Sequence, residues 1–177
     1  MSIKTHEKPL FRKGLLSWYN KRKKQLPWRE DFKRLKNPYP VLISEIMLQQ
    51  TQIATVLPKY TKLIEILPTI DDLAKAKEET FQKLVQGLGY YRRFRFLKKA
   101  AEQISKAKKW PQNYEEWLEL PGIGPYSASA ISSIAQNNPV GVVDGNIERV
   151  LSRVQNFQGS IDRRIKAEYQ SLSLIHI

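Results

Sequence analysis

Leu120-Pro121-Gly122-Ile123-Gly124-Pro125-Tyr126-Ser127-Ala128 sets two glycines, one residue apart, between two short helical stretches. Glycine tolerates the tight backbone a hairpin needs and lets a ligand approach the main chain. The helix that follows points its first N–H groups outward, where they suit an anion such as a phosphate oxygen. Gly-x-Gly occurs in many ordinary turns. Leu-Pro before it and Tyr-Ser-Ala after it turn the segment into a helical-hairpin signature.

Outward from this hairpin the pattern is helix after helix, with no sustained alternation of apolar and polar residues, so the expected fold is all-α. An opening helix is predicted near Leu10 to Lys24, ending before Leu26-Pro27-Trp28-Arg29. The proline-rich Asn37-Pro38-Tyr39-Pro40 leads into a second, Val41 to about Val56, which Pro58 interrupts or follows as the start of the next. Thr69 with Asp72, and Asn113 with Glu116, have the spacing of a helix N-cap and its acidic partner three residues on. Between them Phe81, Leu84, Val85 and Leu88 line one helix face. Gly87-Leu88-Gly89 then turns the chain, and Phe94, Leu97, Ala101 and Ile104 line the next helix. A final helix is expected from Asn146 to Val154.

The 177 residues carry 30 Lys and Arg against 17 Asp and Glu, a net charge of +13. That balance fits a polyanion binder, and equally a basic protein with a solvated surface. The run Arg92, Arg93, Arg95, Lys98 and Lys99, with Phe94 and Phe96 interleaved, would track a nucleic-acid backbone or form an ordinary amphipathic face. The sequence holds no Cys, which excludes disulfides, thiolate chemistry and cysteine-held metals in this chain. No apolar run approaches the roughly 20 residues of a membrane span, and the start lacks a secretory apolar core. The expectation is a soluble cytoplasmic protein.

Two carboxylates stand apart. Glu45 is the sole charge between Lys36 and Lys59 and sits within Val41-Leu42-Ile43-Ser44-Glu45-Ile46-Met47-Leu48. Burial without a partner would raise its pKa and keep an acid protonated near neutral pH. A structural Glu bonded to a helix end, or paired with a buried Arg, would fit the same place. Asp144, the sole charge between Glu119 and Glu148, joins Val140-Gly141-Val142-Val143 to the last helix. It suits an N-cap, and it equally suits the ionised member of a carboxyl pair that cleaves a glycosidic bond through a cation-like transition state.

Together with the hairpin, the segments Leu26-Pro27-Trp28-Arg29, Ser44-Glu45-Ile46-Met47-Leu48-Gln49-Gln50-Thr51-Gln52, Gly87-Leu88-Gly89-Tyr90-Tyr91 and Val143-Asp144-Gly145-Asn146 resemble, in order and interval, the blocks of MutY-type adenine DNA glycosylases of the helix-hairpin-helix superfamily. The resemblance covers about residues 15 to 155. It implies base-excision repair: hydrolysis of the N-glycosidic bond of adenine mispaired with 8-oxoguanine or guanine in double-stranded DNA, by a monofunctional, monomeric enzyme. In that picture Glu45 is the catalytic acid and Asp144 the stabilising carboxylate, with Asn146 and Tyr126 supporting the sugar and the Asp. Gln50 and Tyr90 wedge into the base stack, Gln49, Gly122, Gly124 and Ser127 contact DNA, and Trp28 and Arg29 line the adenine pocket.

The family's [4Fe-4S] cluster has no ligands here, because its four cysteines would come after this chain's last residue. The implied domains are an N-terminal helix over residues 1–29, a six-helix domain over 30–137, and the start of an incomplete second domain over 138–171. The final Leu172-Ser173-Leu174-Ile175-His176-Ile177 matches a translated sequencing adaptor and is read as artefact, so His176 carries no function. Two rival readings remain. An endonuclease III-type enzyme, a pyrimidine glycosylase with lyase activity, would need a Schiff-base Lys just after the hairpin, where this chain has Tyr126. A non-catalytic helix-hairpin-helix module would account for the charge and for Gly122 and Gly124, but not for the isolated Glu45 and Asp144.

Overall fold

The computed structural model describes residues 8–159 and residue 169. The adaptor-like residues 172–177 lie outside the described residues. The chain divides into two compact units, one from Gln25 to Asn138, the other combining the segment up to Lys24 with the segment from Pro139 onward. Every regular element among the described residues is helical.

The unit from Gln25 to Asn138 holds the core. α2 (Pro27–Leu35) and α3 (Tyr39–Leu48) each begin with proline in the first turn, where the missing N–H costs nothing. α3 is the central element: eight of its ten residues are buried, and Tyr39 Oη donates to the Leu67 carbonyl at 2.7 Å. Leu42, Ile43, Ile46 and Met47 meet Tyr60, Leu63, Leu73, Phe81, Phe94, Leu97, Trp117 and Ile131 in one continuous cluster. Leu26 and Trp28 belong to this cluster as well, so the unit begins before residue 30, and the Trp28 ring stands edge-on to Tyr60 at 5.3 Å.

The helix expected from Val41 to Val56 is two helices. α3 stops at Leu48, Gln50 takes a left-handed φ of 53°, and α4 (Ile53–Ile66) starts afresh. The polar run Gln49-Gln50-Thr51-Gln52 marks the break locally: the apolar pattern stops at Leu48 and resumes at Ile53. Pro58 neither interrupts nor begins a helix: it lies inside α4. Both Pro58 and Ala54, whose carbonyl loses its partner, face solvent, where water serves that carbonyl.

α5 (Ile70–Lys75) opens with a complete capping box, Thr69 Oγ1 accepting from the Asp72 N–H and the Asp72 carboxylate accepting from the Thr69 N–H. α6 (Glu78–Val85) and α7 (Arg92–Ala107) present the expected apolar faces. At α8 (Tyr114–Leu118) Asn113 caps the Glu116 N–H, while Glu116 reaches back to the N–H of Gln112, one residue beyond the reciprocal position. α9 (Pro125–Gln136) completes the unit. The short α5 and α8 bring its helical segments to eight.

In the other unit α1 (Lys8–Arg22) and α10 (Gly145–Val154) are the described helices. Leu151 and Tyr169 are buried, and the hydroxyls of Ser152 and Tyr169 lie 3.0 Å apart. No helix of the described residues is long and apolar enough to cross a membrane.

Candidate active site

Glu45 lies in α3 with buried Ser44 and Ile46 on either side and buried Leu42, Val41 and Met47 within a turn. The residue keeps partial access to the surface, yet protein replaces most of the water around its carboxyl, and burial pushes that carboxyl up to about 7. Among the described residues it makes no hydrogen bond and no ion pair, and desolvation is the sole cause of the shift. The two structural roles open to this residue, a helix-end bond and a buried Arg partner, are therefore both vacant. What remains is an acid about half protonated at neutral pH.

One turn later the hairpin closes against the same helix. Gly122 has φ +76° and a Cβ there would stand 2.4 Å from the Phe96 Cβ, so both the conformation and the space demand glycine. Ile123 is buried beneath the turn, with its N–H on the Leu120 carbonyl. Gly124, the N-cap of α9, faces open space, and Pro125 follows at the first helical position. The first-turn N–H groups of α9 have no carbonyl within the helix to bond and are aimed outward. The Ser127 hydroxyl is not available in that role. It is buried and accepts from Gln49 Nε2 at 3.2 Å, tying the end of α3 to the start of α9.

Gln49, Gln50, Tyr90 and Gly122, 73 residues apart in sequence at the extremes, line one cleft of about 310 Å³ together with Arg92, Arg93 and Phe96. Tyr90 is 67% exposed with a φ of 46°, and Gln50 is exposed in the same left-handed region. Tyr126 is also well exposed at the start of α9. A larger hollow of about 640 Å³ between α6 and α7 contains, of the residues singled out above for the site, only Arg95 of the basic run. Trp28 has been absorbed into the core, 7% exposed, and offers little surface for an adenine pocket; Arg29 beside it is half-buried.

The basic run of α7 separates into two kinds. Arg92, Arg95 and Lys99 face solvent, whereas Lys98 Nζ donates to the carbonyls of Leu73, Ala74 and Ala76 and so caps the end of α5. Arg93 is buried, its Nη2 donating to Thr51 Oγ1 and to the Leu88 carbonyl. Sequence reading missed Arg93 and Thr51 as shapers of the cleft. A signal existed: Arg93 precedes Leu97 by four and Ala100 by seven, which puts it on the buried stripe of α7.

In the other unit Asp144 is the N-cap of α10. Its Oδ1 accepts from the N–H groups of Asn146 at 3.0 Å and Ile147 at 2.8 Å, and its Oδ2 from the Asn146 side-chain amide at 3.2 Å. All three contacts are donors, matching a carboxylate at the positive end of a helix. Glu45 and Asp144 thus differ in kind: one an acid without partners, the other a carboxylate with three.

The pattern described as "HhH-GPD superfamily base excision DNA repair protein" matches residues 43–175, which include both Glu45 and the hairpin. The chain belongs to the HhH-GPD superfamily. Adenine DNA glycosylase of Rattus norvegicus is 46% identical to this HhH-GPD chain over 152 residues, covering 82% of the chain and 30% of the relative. That of Schizosaccharomyces pombe is 42% identical over 161 residues, 81% of the chain and 35% of the relative. The HhH-GPD chain thus spans about a third of the length of these curated relatives. Its fold is shared with a thermostable thymine-DNA glycosylase, at a TM-score of 0.79 and 24% identity, over 98% of this chain and 80% of that one.

An iron–sulfur cluster does not fit the residues of this HhH-GPD chain. It has no cysteine, and the described residues contain no group of three or more His, Asp or Glu able to hold a metal ion.

Proposed function

We propose that this protein is a base-excision DNA glycosylase that hydrolyses the N-glycosidic bond of adenine mispaired with 8-oxoguanine or guanine in duplex DNA, without cleaving the strand. The observation that carries the reading is Glu45, a carboxyl with no partner, raised to about 7, one turn from the Gln49–Gln50 cleft. The adenine DNA glycosylases among its relatives support the choice of base.

In this reading the hairpin N–H groups and the exposed Arg92, Arg95 and Lys99 hold the phosphate backbone. Gln50 and Tyr90 fill the gap in the stack as adenine swings out of the duplex, at an unstacking cost of a few kcal/mol that a mispair lowers. Glu45 gives its proton to adenine N7, and the C1′–N9 bond breaks with its electron pair going to the base. Asp144 offsets the positive charge left on the sugar, with Asn146 holding its carboxylate and Tyr126 at the sugar. Water adds to C1′ and its released proton restores the Glu45 acid. Tyr126, a phenol where a lyase would need an amine, leaves no Schiff base to form.

The test is single-turnover release of adenine from duplexes with adenine opposite 8-oxoguanine or guanine, by the chain alone and by the chain extended over the remaining length of its relatives. Glu45→Gln should lower release by about 10²–10⁴-fold and leave duplex binding intact, with little adduct trapped by borohydride in either protein. Absence of release from both duplexes in both forms would overturn the reading. Efficient borohydride trapping with strand cleavage at oxidised pyrimidines would replace it by the lyase.

A further inference from the structure

Two turns in the unit from Gln25 to Asn138 carry two exposed side chains of the cleft, Gln50 and Tyr90, and both are held in costly backbone. In the turn between α3 and α4, Gln50 has φ +53°; in the turn between α6 and α7, Tyr90 has φ +46°. Neither is glycine, so each conformation must be imposed from outside. The second turn is also loosened by Gly87 and Gly89 at φ +88° and +69°, with open space where each Cβ would stand. These glycines serve backbone conformation alone and raise the freedom the turn must lose.

The restraint comes from two side chains 42 residues apart. Arg93 Nη2 donates to Thr51 Oγ1 at 2.7 Å and to the Leu88 carbonyl at 3.0 Å. The Thr51 hydroxyl, 3.1 Å from that same Leu88 carbonyl and 3.2 Å from the Gln49 carbonyl, shares its proton between them. Arg93, Thr51 and Leu88 thus close a triangle with Gln50 beside one corner and Tyr90 beside another.

We propose that Arg93 and Thr51 form a clamp that locks these two turns in one register, so that Gln50 and Tyr90 are presented together at the cleft. Arg93 is on this account a positioning residue. Its burial argues for the role: at 8% exposure its Nε and Nη1 have no hydrogen-bond partner, and it occupies the helix stripe otherwise filled by Phe94, Leu97, Ala101 and Ile104. Burying unsatisfied donors of a cation opposes folding, and the Phe94 ring, 4.7 Å from the guanidinium carbon, offsets only part of that. An apolar side chain would serve the core better. What it would not do is hold Thr51 and the Leu88 carbonyl.

The functional half of this inference rests on the reading that Gln50 and Tyr90 enter the base stack; the structural half does not. Hydrogen exchange of the 177-residue chain tests the structural half. Arg93→Met should raise exchange several-fold in residues 49–52 and 87–91 together, with the melting temperature unchanged or higher and with α3 and α7 still protected. Thr51→Val should reproduce the loosening without touching the buried cation, and Arg93→Lys should restore part of it. Loosening of one turn alone, or a fall in melting temperature with general loss of protection, would overturn the clamp.

For the functional half, a duplex with 2-aminopurine beside the mispair should brighten when the wild-type chain unstacks it. Arg93→Met should remove at least half of that rise while lowering overall duplex affinity less than threefold. In a Tyr90→Ala background it should then have little further effect. Independent, additive effects would overturn the coupling of Arg93 to Tyr90. No brightening with the wild type would overturn both this coupling and the proposed base-flipping reading, leaving the exchange result to decide the clamp.

Discussion

Glu45 and Asp144 are the same functional group in opposite surroundings. Glu45 lies along the side of a helix that is apolar all round, with no hydrogen bond to its carboxyl among the described residues, and that carboxyl is held up to about 7. Asp144 stands at the first turn of a helix, where three N–H donors converge on its two oxygens. The first surrounding opposes charge and the second gathers around it. Folding has therefore left one carboxyl desolvated at the expense of stability and made the other a helix cap that contributes to stability.

The sharpest way to break this contrast is the pH dependence of adenine release. If Glu45 must be protonated to act, the single-turnover rate should fall with a slope approaching tenfold per pH unit well above its pKa near 7, or about fiftyfold between pH 7 and pH 9. A rate flat across that range would remove Glu45 from the acid role.

The next effect is on stability. Because the folded carboxyl titrates near 7 and an ordinary Glu near 4.5, the cost of ionising it is absent below pH 4.5, grows between the two values and is complete above 7. Glu45→Gln should then stabilise the protein at pH 8 by about 1–3 kcal/mol, a tenfold change in proton affinity being worth about 1.4 kcal/mol, and by nothing at pH 4. Thermal melts of the two proteins at both pH values measure it. Equal differences at the two pH values would mean that ionised Glu45 has a partner.

Asp144 should behave in the opposite way. Asp144→Ala removes the cap of α10 and should cost about 1 kcal/mol, whereas Asp144→Asn keeps a good N-cap and should change stability by only a few tenths. Both remove the charge, so both should depress adenine release. A stable Asp144→Asn protein with full activity would reduce Asp144 to a cap. Thr69→Ala provides the control and the smallest effect: it breaks the α5 capping box at a cost of about 0.5–1 kcal/mol and should leave release unchanged.

Much of this architecture was legible in the sequence because the signals were local. Thr69 and Asp72 found each other across three residues, as did Asn113 and Glu116 at the N-terminus of α8, and a capping pair needs only the turn that contains it. The hairpin was equally legible, since Gly122 answers to its own φ. Even the isolation of Glu45 in an apolar run foretold its burial.

What the sequence could not decide was set by partners far along the chain. The polar Gln49-Gln50-Thr51-Gln52 interrupts the apolar pattern, but the left-handed turn at Gln50 was not legible there, because the contacts that hold it come from Leu88 and Arg93. Trp28 read as a pocket residue until Tyr60 packed against it in the core. Arg93 and Lys98 read as members of a basic face, and only the fold showed one bound to Thr51 and Leu88 and the other capping α5. Periodicity records which face of a helix turns inward; it says nothing of which donor that face will meet. Sequence alone therefore determined the helical class, two of the N-caps and the two unusual carboxyls, while the tertiary structure decided which cations are spent inside the protein and which remain at its surface, because hydrogen bonds between distant turns leave no mark on either turn alone.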